Sequence, residues 1–409
     1  MITSARQLAD WEQKYKLALA RAAAQIVVCA GPGCAASGSK AVYERLKEEL
    51  MRRGSHVTVD YLLENGTPST SGVVALESGC QGFCQKGPLV RVEPEGILYT
   101  KVQPEDVPEL LDAVLQGTVL ERLLYHDPST GQVYTNEKDI PFYRDQIRIA
   151  LQNCGAIDPE DIRAYIARGG YQGLARALAM DSSAVIAELE QAHLRGRGGG
   201  GFPAARKWAI AAAQEGPEKY LICNGDEGDP GAFMDRSIME GDPHSVIEGM
   251  VIAGYAIGAS QGFIYVRAEY PLAVQRMQKA VRAANEWGLL GENILDSGFA
   301  FQIAIKQGAG AFVCGEETAL IASSEGQRGM PRPKPPFPSV AGLWKKPTVI
   351  NNVETLANVP RVLRQGAQWF RKVGTSASPG TKTFALAGDV ANTGLIEVPM
   401  GLSIRDIVY

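Results

Sequence analysis

The chain has 409 residues, a net charge of −4, 45% hydrophobic and 21% charged residues. This is room for roughly two to four domains in a composition ordinary for a globular protein; the absence of a basic tract excludes nucleic acid as an expected partner. Seven cysteines with no signal peptide ahead of them point to metal or redox use in a reducing compartment. The most apolar stretches, residues 22–28 and 246–259, are shorter than the ~20 residues of a membrane span, so a cytoplasmic protein with no direct membrane insertion is expected.

In chain order, residues 1–24 read as an N-terminal amphipathic helix or helix pair. A strand at 26–29, a charged amphipathic helix at 40–53, an alternating strand at 56–62 and a strand at 73–76 follow. Residues 89–92 and 97–100 flank Pro94-Glu95-Gly96, a hairpin signal, and a helix at 106–115 closes the unit. Strand-helix-strand followed by strand-strand-helix is the thioredoxin-like order. Two cysteine pairs sit on its loops, Cys29-Ala-Gly-Pro-Gly-Cys34 and Cys80-Gln-Gly-Phe-Cys84. Structural zinc prefers C-x2-C pairs; a C-x4-C pair with glycines between the ligands is more typical of a [2Fe–2S] cluster. Iron–sulfur, zinc and purely structural thiols are the three readings, in that order. The pattern resembles the thioredoxin-like [2Fe–2S] ferredoxins, which implies Cys29, Cys34, Cys80 and Cys84 as iron ligands.

Residues 116–150 read as a connector with a turn at 127–131, and helices at 158–168 and 171–180 lead to Arg195-Gly-Arg-Gly-Gly-Gly-Gly-Phe-Pro203. Gly196, Gly198 and Gly201 spell G-x-G-x-x-G, but the dinucleotide fingerprint requires a preceding strand. Here the preceding residues 183–194 have helical spacing. The loop therefore joins helix to helix, with Pro203 in the first turn of the second. Amides at a helix N-terminus bind phosphate, and Arg197 and Lys207 add positive charge; a flexible linker is the weaker alternative.

Beyond it, strands at 219–224, 263–266 and 299–306 alternate with helices at 202–214, 244–258 and 272–287, which implies a parallel sheet with ligands at the strands' carboxyl ends. Asp226, Glu227 and Asp229 follow the first strand; Glu316 and Glu317 follow the third. These acids suit ligand hydroxyls better than a metal, with helix capping as the plain alternative. Cys223 and Cys314 read as buried small hydrophobes. A proline-rich stretch at 327–338 carries Arg332, Lys334 and Phe337, residues 349–355 open a helix running to about Arg364 with Asn352 as its candidate cap, and 382–387 and 396–399 read as strands of a small β unit.

The strings GRGGGGFP, CNGDEGDPGAFMDRS, CGEETAL, RPKPPFP and INNVET together resemble the family of NADH-binding flavoprotein subunits, which includes the 51-kDa-type subunit of NADH dehydrogenase and the diaphorase subunits of NAD-linked hydrogenases and formate dehydrogenases. With its fused N-terminal domain the chain most resembles the β subunit of electron-bifurcating [FeFe]-hydrogenases. The resemblance implies an α/β architecture: an N-terminal helix (1–24), a thioredoxin-like [2Fe–2S] domain (25–117), a connector (118–155), a Rossmann-like FMN/NADH-binding domain (156–378) and the start of a β-grasp domain (379–409). It implies FMN held by Gly196, Arg197, Gly198, Lys207, Asn224, Asp226, Glu227, Gly315, Glu316, Asn351, Asn352 and Thr355. NAD(H) would lie over the isoalloxazine with its adenine stacked by Phe202 and Phe337, and with Asp229, Glu317 and Lys334 at its polar parts. Asp229 departs from the glutamate common in respiratory members. The family's [4Fe–4S] ligands are a second departure, because no cysteine follows Cys314; the sequence is expected to be an N-terminal portion of a longer protein. The implied partners are a small [2Fe–2S] diaphorase subunit, an iron–sulfur catalytic subunit of hydrogenase or formate dehydrogenase type, and ferredoxin. Quinone-linked NADH dehydrogenase is an alternative assignment; so are a flavin-free electron-transfer or assembly module, and a zinc scaffold.

Overall fold

The computed structural model describes residues 1–54, 63 and 72–408. The first sheet contains β1 (Ala24–Cys29), β2 (Val73–Ser78), β3 (Val90–Glu93) and β4 (Ile97–Tyr99) in the order β2-β1-β3-β4. β1 is parallel to β2 and antiparallel to β3, and β3–β4 is a hairpin whose Gly96 takes a left-handed conformation. Helices Ser39–Arg52 and Val107–Gln116 pack on this sheet. Gly117, at φ 64°, ends the second helix with a left-handed cap. The strand expected at 56–62 lies outside the described residues.

The N-terminus is one helix, Ala5–Leu19, whose Ser4 cap accepts the Gln7 amide. It lies on the larger domain, with Trp11 edge-on to Trp287. The stretch read as a connector holds a small hairpin, β5 (Tyr125–His126) with β6 (Val133–Tyr134), around the expected turn.

The second sheet contains β7 (Tyr220–Gly225), β8 (Gln261–Arg267), β9 (Gln302–Gly308) and β10 (Thr348–Asn352), parallel throughout in the order β10-β7-β8-β9. Leu221, Ile222 and Cys223 are fully buried, as expected where helices cover both faces. Helix Pro243–Ile257 is almost wholly buried and packs against Val353–Gln365. β9 starts three residues later than the sequence pattern indicates. β10 is an addition to the sequence reading: the β-branched Thr348-Val-Ile run extends into the sheet ahead of the helix, which begins at Val353 with Asn352 as its cap, as the sequence indicated. A last antiparallel pair, β11 (Thr381–Leu386) and β12 (Gly394–Pro399), stands beside both domains. Among the described residues, no helix is long and apolar enough to cross a membrane.

Candidate functional site

The four cysteines of the first domain converge. Cys29 ends β1, Cys34 lies in the short helix Pro32–Ala36, and Cys80 and Cys84 flank the loop after β2. All are free thiols; Cys80 and Cys84 approach to 3.8 Å between Sγ atoms, and the Gln81 amide donates to Cys29 Sγ at 3.4 Å. The glycines are sterically required: an ideal Cβ on Gly31 would lie 2.9 Å from Cys80 Cβ, and one on Gly87 would lie 2.6 Å from Cys34 Sγ. Contact with Cys34, then burial, pushes the Cys29 thiol up; contact with Cys29, then burial, does the same to Cys80. Bare thiols packed this way stay protonated, and a cationic centre is what would ionise them. Among the described residues no three metal-binding side chains converge on one ion. The C-x4-C and C-x3-C pairs on glycine-lined loops suit a two-iron cluster gripped by four thiolates. Phe83, within the cysteine loop, is fully buried under the connector, stacked on Phe142 at 4.3 Å and flanked by Tyr125 and Tyr143.

The second site lies where strand order reverses. β7 leads outward to β8 and β9, and the chain then returns to place β10 on the other side of β7. Ligands in open parallel sheets bind at such a switch point, beyond the carboxyl ends of the strands. A cavity of about 670 Å³ opens there, lined by Asn224 from β7, Asn351 and Asn352 from β10, and the glycine loop. That loop joins helix Ser182–Gln191 to helix Ala204–Ala212, so its context is helix-loop-helix. Gly198 is closely approached, since an ideal Cβ there would meet Asn352 Cβ at 3.0 Å and one of the two would have to give way.

Of the residues singled out from the sequence, Gly196, Gly198, Phe202, Lys207, Asn224, Gly315 and Glu316 line this cavity, with Glu317, Lys334, Phe337, Asn351, Asn352 and Thr355. The Lys207 ammonium donates to the Ile350 carbonyl at 2.9 Å and lies 3.7 Å from Glu317; burial holds its pKa below the usual lysine value. Asn351 is fixed by the Trp208 indole N–H at 2.8 Å. Asn352 donates to Asp235 at 2.6 Å, and Thr355 Oγ1 accepts the Arg197 amide at 2.9 Å. Glu316 caps helix Glu317–Ser324; burial opposes its ionisation, but Thr318, Ala319 and Lys334 outweigh it and hold the carboxylate below its usual range. Lys334 reaches Glu317 at 2.7 Å. Phe202 and Phe337 stand exposed at the mouth, at 44% and 56%.

Four residues do not line the cavity. The Arg197 side chain turns away and donates to three carbonyls, those of Arg195, Pro379 and Thr381. Glu227 caps helix Met234–Gly241 by accepting the amides of Met234, Asp235 and Arg236, which is the plain alternative for these acids. Asp229 accepts the Gly231 amide in its own turn. Asp226 sits at the edge: its carbonyl is 3.3 Å from the ideal Cβ of Gly315 on the cavity wall, and its Oδ2 is buried without a partner among the described residues. Burial pushes its pKa up to about 6 against the opposing pull of Arg267. A buried acceptor lacking a donor at the rim of a polar cavity fits a ligand hydroxyl.

Sequence reasoning missed Arg206, Ile210, Ser339, Val340 and the β10 residues Thr348 and Ile350 in the lining. Only β10 left a local signal, its β-branched run; the others depend on how helix Ala204–Ala212 turns toward the proline-rich stretch.

Residues 7–115 match the thioredoxin-like [2Fe-2S] ferredoxin family, and residues 189–361 match the Nuo51 FMN-binding domain family. The chain is 59% identical over 264 residues to the HndC subunit of the NADP-reducing hydrogenase of Solidesulfovibrio fructosivorans, covering 64% of this chain and 54% of that one. It is 51% identical over 261 residues to a subunit of the NADH-quinone oxidoreductase of Rhizobium meliloti, covering 64% and 62%. A solved NAD+-reducing [NiFe]-hydrogenase in the air-oxidized state aligns over 99% of this chain and 66% of its own, at 27% identity and a TM-score of 0.55. The chain thus spans little more than half the length of the curated relatives it matches. With a cysteine set suited to two irons and a switch-point cavity, the chain joins a thioredoxin-like [2Fe-2S] ferredoxin domain to an Nuo51-type FMN-binding domain.

Proposed function

We propose that this chain is an NAD(H)-linked, FMN-dependent electron-transfer subunit of a multisubunit, cytoplasmic, hydrogenase-type oxidoreductase. The observation that carries the reading is the convergence of glycine loop, Asn224, Asn351, Asn352 and Glu316 on one switch-point cavity in the same chain as the four-thiol set. FMN, when bound, supplies the interconversion between the two-electron chemistry of NAD(H) and the one-electron chemistry of iron–sulfur clusters. The glycine loop at Gly196 and Gly198 would receive its phosphate through the Gly198 amide, the Gly196 amide being engaged by the Phe202 carbonyl, while Asn224, Asp226 and Asn351 would accept and donate along its polar edge. Phe202 and Phe337 would hold the dinucleotide at the mouth, with Glu317 and Lys334 at its polar groups. Cys29, Cys34, Cys80 and Cys84 would hold the cluster. The partners proposed are a small [2Fe–2S] subunit and an iron–sulfur catalytic subunit, with residues 25–117 as the cluster domain and 156–378 as the flavin domain.

The test is anaerobic spectroscopy of the purified holoprotein. The expected result is flavin absorbance bleached by NADH, with iron and sulfide present in the ratio of a [2Fe–2S] cluster. Iron without flavin after FMN reconstitution refutes this reading in favour of a simple electron carrier. Titrating NADPH beside NADH decides the nucleotide.

A further inference from the structure

One hairpin touches both cofactor loops. On the flavin side, the Arg197 guanidinium, 4% exposed, donates to the Thr381 carbonyl of β11 at 2.8 Å, to Pro379 just before β11 at 2.7 Å, and to Arg195 of its own loop at 2.9 Å. On the cluster side, the Leu395 amide of β12 donates to the carbonyl of Gly82, between Cys80 and Cys84, at 2.8 Å. Contact there is tight: an ideal Cβ on Gly394 would lie 2.0 Å from the Gly82 carbonyl oxygen, and one on Gly82 would lie 2.7 Å from the Leu395 carbonyl.

The hairpin is itself anchored twice through buried carboxylates. Glu397 accepts the amides of Ile149, Ala150 and Leu151 at 3.0, 3.0 and 2.8 Å, together with the Thr381 hydroxyl. Glu354, in the helix that Asn352 caps, accepts the Thr383 amide at 2.9 Å and hydroxyl at 2.7 Å, and pairs with Lys382. Each anchor places several donors on one carboxylate, so none moves without stranding a buried charge.

We propose that β11–β12 is the common mount that fixes the glycine loop relative to the cluster loop, and that Arg197 is a positioning residue acting through this mount. The inference rests on the FMN and [2Fe–2S] reading above and deepens it. Arg197 is suited to the task because the planar guanidinium reaches three carbonyls in three directions, which a single lysine ammonium on a flexible stem does not reproduce. Helix Met234–Gly241 is a second strut: Glu227 of the flavin-side loop caps its start, and Gly241 at its end lies where a Cβ on Gly79 would come within 2.3 Å. Electron exchange between two bound groups falls steeply with separation, so holding both loops on one hairpin sets that separation within the chain.

Cross-effects test the mount. In the holoprotein, Gly394→Ala touches no residue of the flavin cavity, yet it is expected to weaken FMN binding about tenfold by fluorescence titration, within the range for residues coupled through a backbone shift. Arg197→Lys, which touches no cysteine, is expected to change the g values or midpoint potential of the reduced cluster. If each substitution alters only the centre beside it, the proposal is overturned. Thr383→Val, which removes one hydroxyl from Glu354, serves where Gly394→Ala does not fold and is expected to act in the same direction on both centres. Amide hydrogen exchange at residues 196–201 in the Gly394→Ala apoprotein reads the coupling with neither cofactor present. Faster exchange there supports the mount even if the cofactor assignments fail, and unchanged exchange overturns it.

Discussion

Replacing Glu240 by glutamine is expected to stabilise the protein above neutral pH. Glu240 lies in helix Met234–Gly241, 2% exposed, and its Oε2 has no hydrogen-bond partner among the described residues. Arg236 approaches only to 3.8 Å, and Arg276 donates to the Glu240 main-chain carbonyl at 2.7 Å. Burial therefore outweighs the attraction of Arg236 and Arg276 and pushes the carboxyl up to about 7 from its ordinary value of 4.5. With the folded pKa above the unfolded one, the folded state holds the extra proton between these values. Stability is full below about 4.5, falls as pH rises through about 7, and is flat beyond. At about 1.4 kcal/mol per unit, the loss is on the order of 3 kcal/mol. Glutamine carries no charge to desolvate, so the difference between Glu240→Gln and wild type should be near its minimum at pH 5 and should approach that size at pH 8. Thermal unfolding of both apoproteins at the two pH values measures it. A difference that does not change with pH, or a variant less stable at pH 8, refutes the reasoning and means that Arg236 pairs with the carboxylate more strongly than a 3.8 Å approach implies.

Gly198→Val should weaken FMN binding by tenfold or more, a loss of at least ~1.4 kcal/mol, because its Cβ begins 3.0 Å from that of Asn352; fluorescence titration reads this directly. Cys80→Ser should remove the [2Fe–2S] absorbance and EPR signal while flavin binding persists, since Cys80 does not line the cavity. Asn352→Ala should destabilise the apoprotein by roughly 2–4 kcal/mol in urea unfolding, combining a lost helix cap with a buried Asp235 carboxylate left unpaired. Phe202→Ala should raise KM for NADH several-fold with kcat little changed, consistent with an aromatic contact of about 1 kcal/mol at an exposed rim.

The sequence was most legible where chemistry and spacing coincide. Cys29, Cys34, Cys80 and Cys84 could be grouped because paired thiols on glycine-rich loops have few uses, and the glycine loop could be separated from the dinucleotide fingerprint because helical spacing precedes it. β10 was hidden because its five residues run straight into a long helix, whose stronger periodicity absorbed them. With it went the switch point, since strand order is a long-range property that no local pattern encodes. The acids were legible as a group but not individually. Asp226 and Glu227 are adjacent in sequence, yet one leaves an oxygen unpartnered at the cavity's edge and the other caps a helix; the difference is decided by the position of helix Met234–Gly241. Arg197 misled for a related reason, because a cation beside glycines suggests phosphate until β11 is seen to present its carbonyls.

The aromatic roof over the cysteine loop bears on how the protein is made. Phe83 is covered by Tyr125, Phe142 and Tyr143, all of them later in the chain than the whole of the first sheet. During synthesis, the four thiols are complete and uncovered before the connector that seals them emerges. Tyr125, Phe142 and Tyr143 thus shelter Phe83 only once the connector is made. A fragment ending at Gly117 would keep all four ligands and lose the shelter, so its cluster should form readily and bleach faster in air than that of the longer chain.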